Sequence, residues 1–154
     1  MKQAKIYRKS DLQGSKKQNS ELNGWFLVQH ELLMLADIDH PNIYKIHETY
    51  EDESKIYIVI NDMYQTTLYD KILNEGQLSD HDAAAISSFL ASIVRYLHKK
   101  NIIIRNLRPD LILIDTKDIL EVKLFDLSLA IEGGDTLLNK DVYYTEFRRL
   151  SSNF

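Results

Sequence analysis

The segment NIIIRNLRPDLILID, residues 101–115, places polar side chains between two apolar runs, as a loop that carries out chemistry would. Its central residue, Asn106, is a neutral amide that cannot take up a proton at physiological pH. The carboxylates of the segment, Asp110 and Asp115, are its only candidates for a general base. The segment therefore has the outline of a catalytic loop whose central polar position does not suit proton transfer.

Short β-rich runs surround this loop and must position it. Three of them have the residue types of strands: 102–104, 111–114 and 121–125. A long helix is predicted just before them over 80–99, because Ser79 is a good N-cap and Asp82 follows at the capping-box spacing. Its apolar residues form one stripe at helical spacing: Ile86, Phe89, Leu90, Ile93, Val94 and Leu97.

The first half of the chain predicts a small sheet with a helix. A weakly alternating run at 2–9 indicates a strand, and 15–39 indicates a helix that ends before Pro41. Two β-rich runs at 43–50 and 55–61 flank a polar turn and predict a hairpin, and a short helix follows at about 66–74. We therefore expect an α+β fold, in which a sheet subdomain leads into a helical one.

Composition narrows the class of function. The chain has 154 residues, 44% of them hydrophobic, and a net charge of −4, so no basic field predicts nucleic-acid binding. No apolar run approaches the ~18 residues of a membrane helix, and no secretory signal follows Met1. With no cysteine, we expect an intracellular protein, cytoplasmic or cytoskeletal, with an organelle still open.

Several motifs in register resemble a eukaryotic protein kinase, most closely the calcium- and calmodulin-dependent Ser/Thr kinases. The stretches that carry the resemblance are DHPNIYKIHETYEDESKIYIVIND, RYLHKKNIIIRNLRPDLILID and VKLFDLSLA. The resemblance implies that Lys5 is the phosphate-gripping lysine, paired with Glu31, and that residues 60–63 form the adenine-contacting hinge, with Ile60 as its gatekeeper. Asp126 falls on the metal-binding Asp of D-F-G.

The departures from the family pattern fall on the loop. The family's catalytic Asp, which accepts the substrate proton, is Asn106 here. The family's metal-binding Asn is Leu111, which has no oxygen to offer a magnesium ion. Asp110 falls on a position that does not face the substrate in the family, so it is a poor replacement base. Asp126 alone would make a weak magnesium site, so no cofactor is expected, although weak ATP binding through Lys5, Glu31 and Asp126 stays open.

A purely structural role is an alternative to each of these assignments. Lys5 and Glu31 could form a structural salt bridge or no contact at all, and we favour these alternatives over a role in binding nucleotide phosphates. Asp126 is more simply a polar residue at a strand end. Arg105 could pair with a phosphorylated Thr136, Tyr143 or Thr145, but a packing or hydrogen-bonding role fits better with the family's neighbouring His and Asp replaced.

Two family motifs are missing from the printed sequence. No G-x-G-x-x-G precedes Lys5, and no A-P-E follows the stretch VYYTEFRRL. We therefore expect a truncated kinase-like fold, with a partial N-lobe over 1–62, a partial C-lobe over 63–128 and an irregular tail over 129–154.

The resulting hypothesis is an inactive pseudokinase that serves as a structural or interaction subunit with other protein chains. An apolar set is expected to form its interface: Leu90, Ile93, Val94, Leu97, Leu107 and Leu111. A nucleotide-binding regulator is the first alternative. An active Ser/Thr kinase completed by another chain is the second.

Overall fold

A computed structural model describes residues 3–12, 24–60, 66–115 and 121–133. Its elements in chain order are β1 (Gln3–Arg8), α1 (Lys9–Leu12), α2 (Gly24–Ala36), β2 (Ile46–Glu51), β3 (Lys55–Ile60), β4 (Thr66–Thr67), α3 (Leu68–Glu75), α4 (Asp80–Lys99), β5 (Ile102–Ile103), a 3-10 turn (Pro109–Leu111), β6 (Ile112–Ile114), β7 (Val122–Leu124) and β8 (Ile131–Glu132). The α+β prediction is confirmed. None of the helices in the described ranges is long and apolar enough to cross a lipid bilayer.

The first sheet is antiparallel with the order β1-β3-β2. In β3 every second side chain is buried, so Ile56, Ile58 and Ile60 face the interior. Ile56 and Ile58 pack with Val28 of α2 in one apolar cluster. The predicted hairpin is therefore present as β2 and β3, joined by the turn at 52–54.

Helix α2 is shorter than predicted at its C-terminal end. It stops at Ala36, whereas the sequence predicted helix up to residue 39; residues 13–23 lie outside the described part. Its buried positions are Val28, Glu31 and Leu35, so the inward face includes a carboxylate. Leu33 is 73% exposed and belongs to the opposite face.

Helix α4 has the predicted bounds, and Ser79 caps it by accepting a hydrogen bond from the Asp82 N–H at 3.1 Å. Its apolar stripe corrects the interface prediction. Ile93 and Leu97 are fully buried, and Leu90 and Val94 are partly buried against the same core. These four residues contribute to the chain's own core, because the stripe packs on segments that the sequence could not place. Of the expected set, Leu107 is exposed and Leu111 is half-buried.

The largest core cluster joins the two halves of the chain. Its buried residues are Leu35, Ile38, Ile43, Tyr44, Ile60, Ile93, Leu97, Ile102, Ile104, Leu124, Leu127 and Ala130. They come from the end of α2 and the residues between it and β2, from β3, α4 and β5, and from β7 and the segment after it. A second cluster lies between α4 and the small sheet β4-β6-β7.

A two-stranded sheet of β5 and β8 closes the segment that carries the loop. Strand β8 was not predicted, because the region after Asp126 was expected to be irregular. Beside this sheet Asn101 and Gly133 form a clasp of two hydrogen bonds. The Gly133 N–H donates to the Asn101 carbonyl at 2.6 Å, and the Asn101 side-chain amide donates to the Gly133 carbonyl at 2.8 Å.

Candidate functional site

Lys5 and Glu31 meet between β1 and α2. The alternation of β1 turns Lys5 toward the helix, and Glu31 lies on the buried face of α2. The Lys5 ammonium contacts Glu31 Oε1 at 2.8 Å, and the two side chains are 11% and 0% exposed. The contact between them is therefore present, whereas its use in gripping a nucleotide stays a prediction.

Glu31 has further donors that sequence reasoning missed. The Tyr44 hydroxyl donates to Oε1 at 2.7 Å and the Tyr7 hydroxyl to Oε2 at 3.2 Å. Burial and the nearby Glu31 carboxylate raise the pKa of both tyrosines far above the ordinary range, so both hydroxyls stay protonated donors. Tyr44 lies in the run 43–50, which was predicted only as a strand of the hairpin. For Tyr7 a signal was available, since it lies on the same strand face as Lys5.

Lys5 is enclosed on its remaining sides. Its ammonium also donates to the Phe125 carbonyl at 3.1 Å and lies 4.4 Å from the centre of the Phe125 ring. The rings of Tyr44 and Tyr7 are 5.2 Å and 5.9 Å away. Aromatic faces attract a cation at such distances. Two of the three ammonium protons therefore have acceptors within the protein.

Asp126 follows β7 and is half-buried. Its carboxylate accepts a hydrogen bond from the Ser128 N–H at 2.7 Å, which is the contact of a polar residue that closes a turn. Within the described ranges no three His, Cys, Asp or Glu side chains group closely enough to hold a metal ion. The hinge prediction can be placed only at Ile60, which is 1% exposed, because 61–63 lie outside the described residues.

The loop before the 3-10 turn is held largely by its backbone. Arg105 has a left-handed φ of 62°, and its Nε donates to the Leu129 carbonyl at 2.9 Å. This contact supports the hydrogen-bonding role expected of Arg105; Thr136, Tyr143 and Thr145 lie outside the described residues. The N–H of Asn106 donates to the Ile104 carbonyl at 2.8 Å, which fixes the tight bend at this position.

Two more contacts anchor the end of the loop. The Leu111 carbonyl accepts a hydrogen bond from the Phe125 N–H at 2.8 Å, so the loop is tied to the residue next to Asp126. Arg108 holds Asp110 with a two-pronged contact, Nε to Oδ1 at 2.9 Å and an amino nitrogen to Oδ2 at 2.5 Å. Both carboxylate oxygens of Asp110, the most obvious candidate for a replacement general base, are thus already bound by Arg108.

Comparison with known proteins gives one consistent result. A family model described as "Protein kinase domain" matches residues 4–148. The chain is 36% identical over 104 residues to calcium-dependent protein kinase 5 of Plasmodium berghei (strain Anka), which covers 67% of this chain and 18% of that protein. It is 33% identical over 135 residues to myosin light chain kinase A of Dictyostelium discoideum, which covers 87% of this chain and 43% of that protein. The chain spans less than half the length of both relatives.

Proposed function

The chain belongs to the protein kinase family, and from that premise we propose that it is a catalytically inactive kinase-like domain that acts as a protein-interaction subunit. One observation carries the proposal, namely the chemistry of two loop residues. Asn106 holds the position of the proton-accepting Asp, and Leu111 that of the metal-binding Asn. An amide does not accept a proton at neutral pH and an alkyl side chain does not bind magnesium, so both functions fail together.

The contacts of Asp110 add support. A replacement base needs a carboxylate that can reach the substrate hydroxyl and accept its proton. Arg108 contacts both oxygens of Asp110, so neither carboxylate oxygen is free to face a substrate hydroxyl. We infer that Asp110 shapes the loop and does not replace the missing base.

The interaction role rests on exposed apolar side chains of α3 and of the loop around Asn106. Leu107 is 42% exposed, and Tyr69 and Leu73 of α3 are 53% and 68% exposed. Large exposed apolar side chains of this kind are candidates for a protein interface. Another protein chain is therefore the partner that we propose for these exposed residues.

A phosphate-transfer assay tests the inactive reading. Purified chain with magnesium-ATP and a basic Ser/Thr peptide should transfer no phosphate above the level of a Lys5→Met control. Transfer that is lost in Asn106→Ala or in Asp110→Asn would overturn the proposal. Size-exclusion chromatography with light scattering tests the interface, since a stable monomer that does not aggregate would count against an obligate partner.

One observation favours a second candidate, a regulator that binds nucleotide without transferring phosphate. The Lys5–Glu31 pair is formed at 2.8 Å, and Lys5 also contacts the carbonyl of Phe125, next to Asp126. A thermal-shift titration separates the two candidates. A rise in melting temperature of several degrees with ATP supports the regulator if Lys5→Met and Asp126→Asn remove it, whereas a flat response supports the interaction subunit.

A further inference from the structure

The environment of Glu31 differs from a simple ion pair. Its carboxylate is fully buried and receives four donors: the Lys5 ammonium at 2.8 Å, the Tyr44 hydroxyl at 2.7 Å, the Tyr7 hydroxyl at 3.2 Å and the Leu127 N–H at 3.4 Å. These donors come from β1, from the residues before β2 and from the segment after β7. A single side chain of α2 therefore connects three other parts of the chain.

The two tyrosines matter because a buried carboxylate is costly unless its oxygens are hydrogen-bonded. An ion pair in the interior often fails to offset the desolvation of both charges, and additional hydrogen bonds decide the balance. Both hydroxyls are attached to rigid rings that also pack around the Lys5 ammonium. They can thus hold Glu31 and Lys5 in one arrangement without a phosphate to organise the pair.

We propose that Tyr7 and Tyr44 are positioning residues that lock the Lys5–Glu31 pair, and with it helix α2, in the paired arrangement in the absence of nucleotide. The inference deepens the proposed function and rests on it, since a domain that presents a fixed surface to a partner needs a fixed α2. It also sets a condition on any phosphate ligand, which would have to compete with the Glu31 and Phe125 oxygens for Lys5.

Amide hydrogen exchange of the full chain tests the lock. In the double variant Tyr7→Phe/Tyr44→Phe, amides of α2 should exchange at least about tenfold faster, because a buried carboxylate loses two donors, while amides of α4 should change less than about twofold. The matched control is Tyr50→Phe/Tyr57→Phe, which removes hydroxyls that bind Glu48 and Asp52 at the surface. The lock would be overturned if amide exchange in α2 of the double variant stayed within about twofold of the unaltered chain. It would also be overturned if α2 exchange rose equally in both double variants.

Two further measurements keep the test decisive. If the double variant does not fold, Tyr44→Phe alone should give about a tenfold effect confined to α2, and equal acceleration in α2 and α4 would contradict the inference. Labelling of Lys5 by an amine-reactive reagent should be slow in the unaltered chain and faster in Tyr44→Phe. Magnesium-ATP added to the unaltered chain should leave α2 exchange unchanged, and slower exchange would contradict the proposed function while leaving the tyrosine comparison intact.

Discussion

Two regions of the molecule meet at Phe125 and differ in the side-chain contacts that hold them. The Lys5–Glu31 cluster keeps its charged residues, pairs them at 2.8 Å and surrounds them with hydroxyls and rings. The loop around Asn106 keeps its bends and its backbone hydrogen bonds, while its side chains are those of an amide and a leucine. The difference is one of side-chain contacts: among the described residues, four donors hold the Glu31 carboxylate, whereas the hydrogen bond found for Asn106 comes from its backbone N–H.

The largest expected effect comes from breaking the retained pair. Lys5→Met leaves a fully buried carboxylate without its cation, so we expect the free energy of unfolding to fall by about 3–5 kcal/mol. Urea denaturation measures the change. Arg8→Met, on the exposed face of the same strand, is the control and should stay within about 0.5 kcal/mol. A loss below about 1 kcal/mol for Lys5→Met would show that the pair contributes little, and would remove the contrast.

The next-largest effect on stability distinguishes a buried from an exposed member of the apolar set that was predicted to form the interface. Leu97→Ala should lower the free energy of unfolding by about 2–5 kcal/mol, because Leu97 is fully buried and a cavity would remain. Leu107→Ala should cost less than about 1 kcal/mol, since its side chain is 42% exposed. The same denaturation experiment compares the two. Equal losses would mean that Leu107 is buried in solution, for example by self-association.

A smaller effect is expected at Asn106, in the loop that we propose to be inactive. In Asn106→Asp the residue stays half-buried and keeps its backbone bond to Ile104, so we expect stability to change by less than about 1 kcal/mol. Phosphate transfer should remain absent, because Leu111 still offers no ligand to magnesium. Leu111→Asn and the double variant complete the series. Transfer by Asn106→Asp alone would show that the metal position is dispensable.

The smallest effect concerns an exposed carboxylate that contrasts with Glu31. Hydrogen bonds from the Ser54 N–H and the Tyr57 hydroxyl are the main causes that lower the pKa of Asp52 from its ordinary value to about 2. A lowered folded-state pKa stabilises the fold above the unfolded-state value near 4, and this contribution disappears as the pH falls through 2. Melting temperature followed from pH 5 to pH 2 should therefore fall less in Asp52→Asn than in the unaltered chain. Glu53→Gln, an exposed neighbour in the same turn, should follow the unaltered chain.

The elements that sequence predicted well are those set by local signals. Helix α4 has the predicted bounds because Ser79 and Asp82 mark its start and one apolar stripe runs along its length. The hairpin of β2 and β3 is likewise marked by its residue types and its polar turn. The assignment of Asn106 and Leu111 to the family's catalytic positions rests on motif register alone and stays a prediction.

The remaining features depend on parts of the chain that lie far apart. Two of the four donors to Glu31, the Tyr44 hydroxyl and the Leu127 N–H, cannot be read from spacing, because they reach it only through the folded core. Strand β8 is two residues long and exists through its pairing with β5. The interface prediction for Ile93 and Leu97 was wrong for the same reason, since a stripe shows that a helix face is apolar but not what covers it.

The clasp between Asn101 and Gly133 influences which insertions and substitutions this part of the chain tolerates. It closes the whole segment between these residues, so the ends of that segment stay together whatever its length. The entropy of closing a loop grows slowly, by about 0.6 kcal/mol for each doubling of its length. A methyl group at Gly133 would instead lie 2.3 Å from the Asn101 side-chain oxygen. Insertions that leave the buried strand residues of the segment in place should carry only this slowly growing entropic cost, whereas a side chain at Gly133 requires the Asn101 side chain to move.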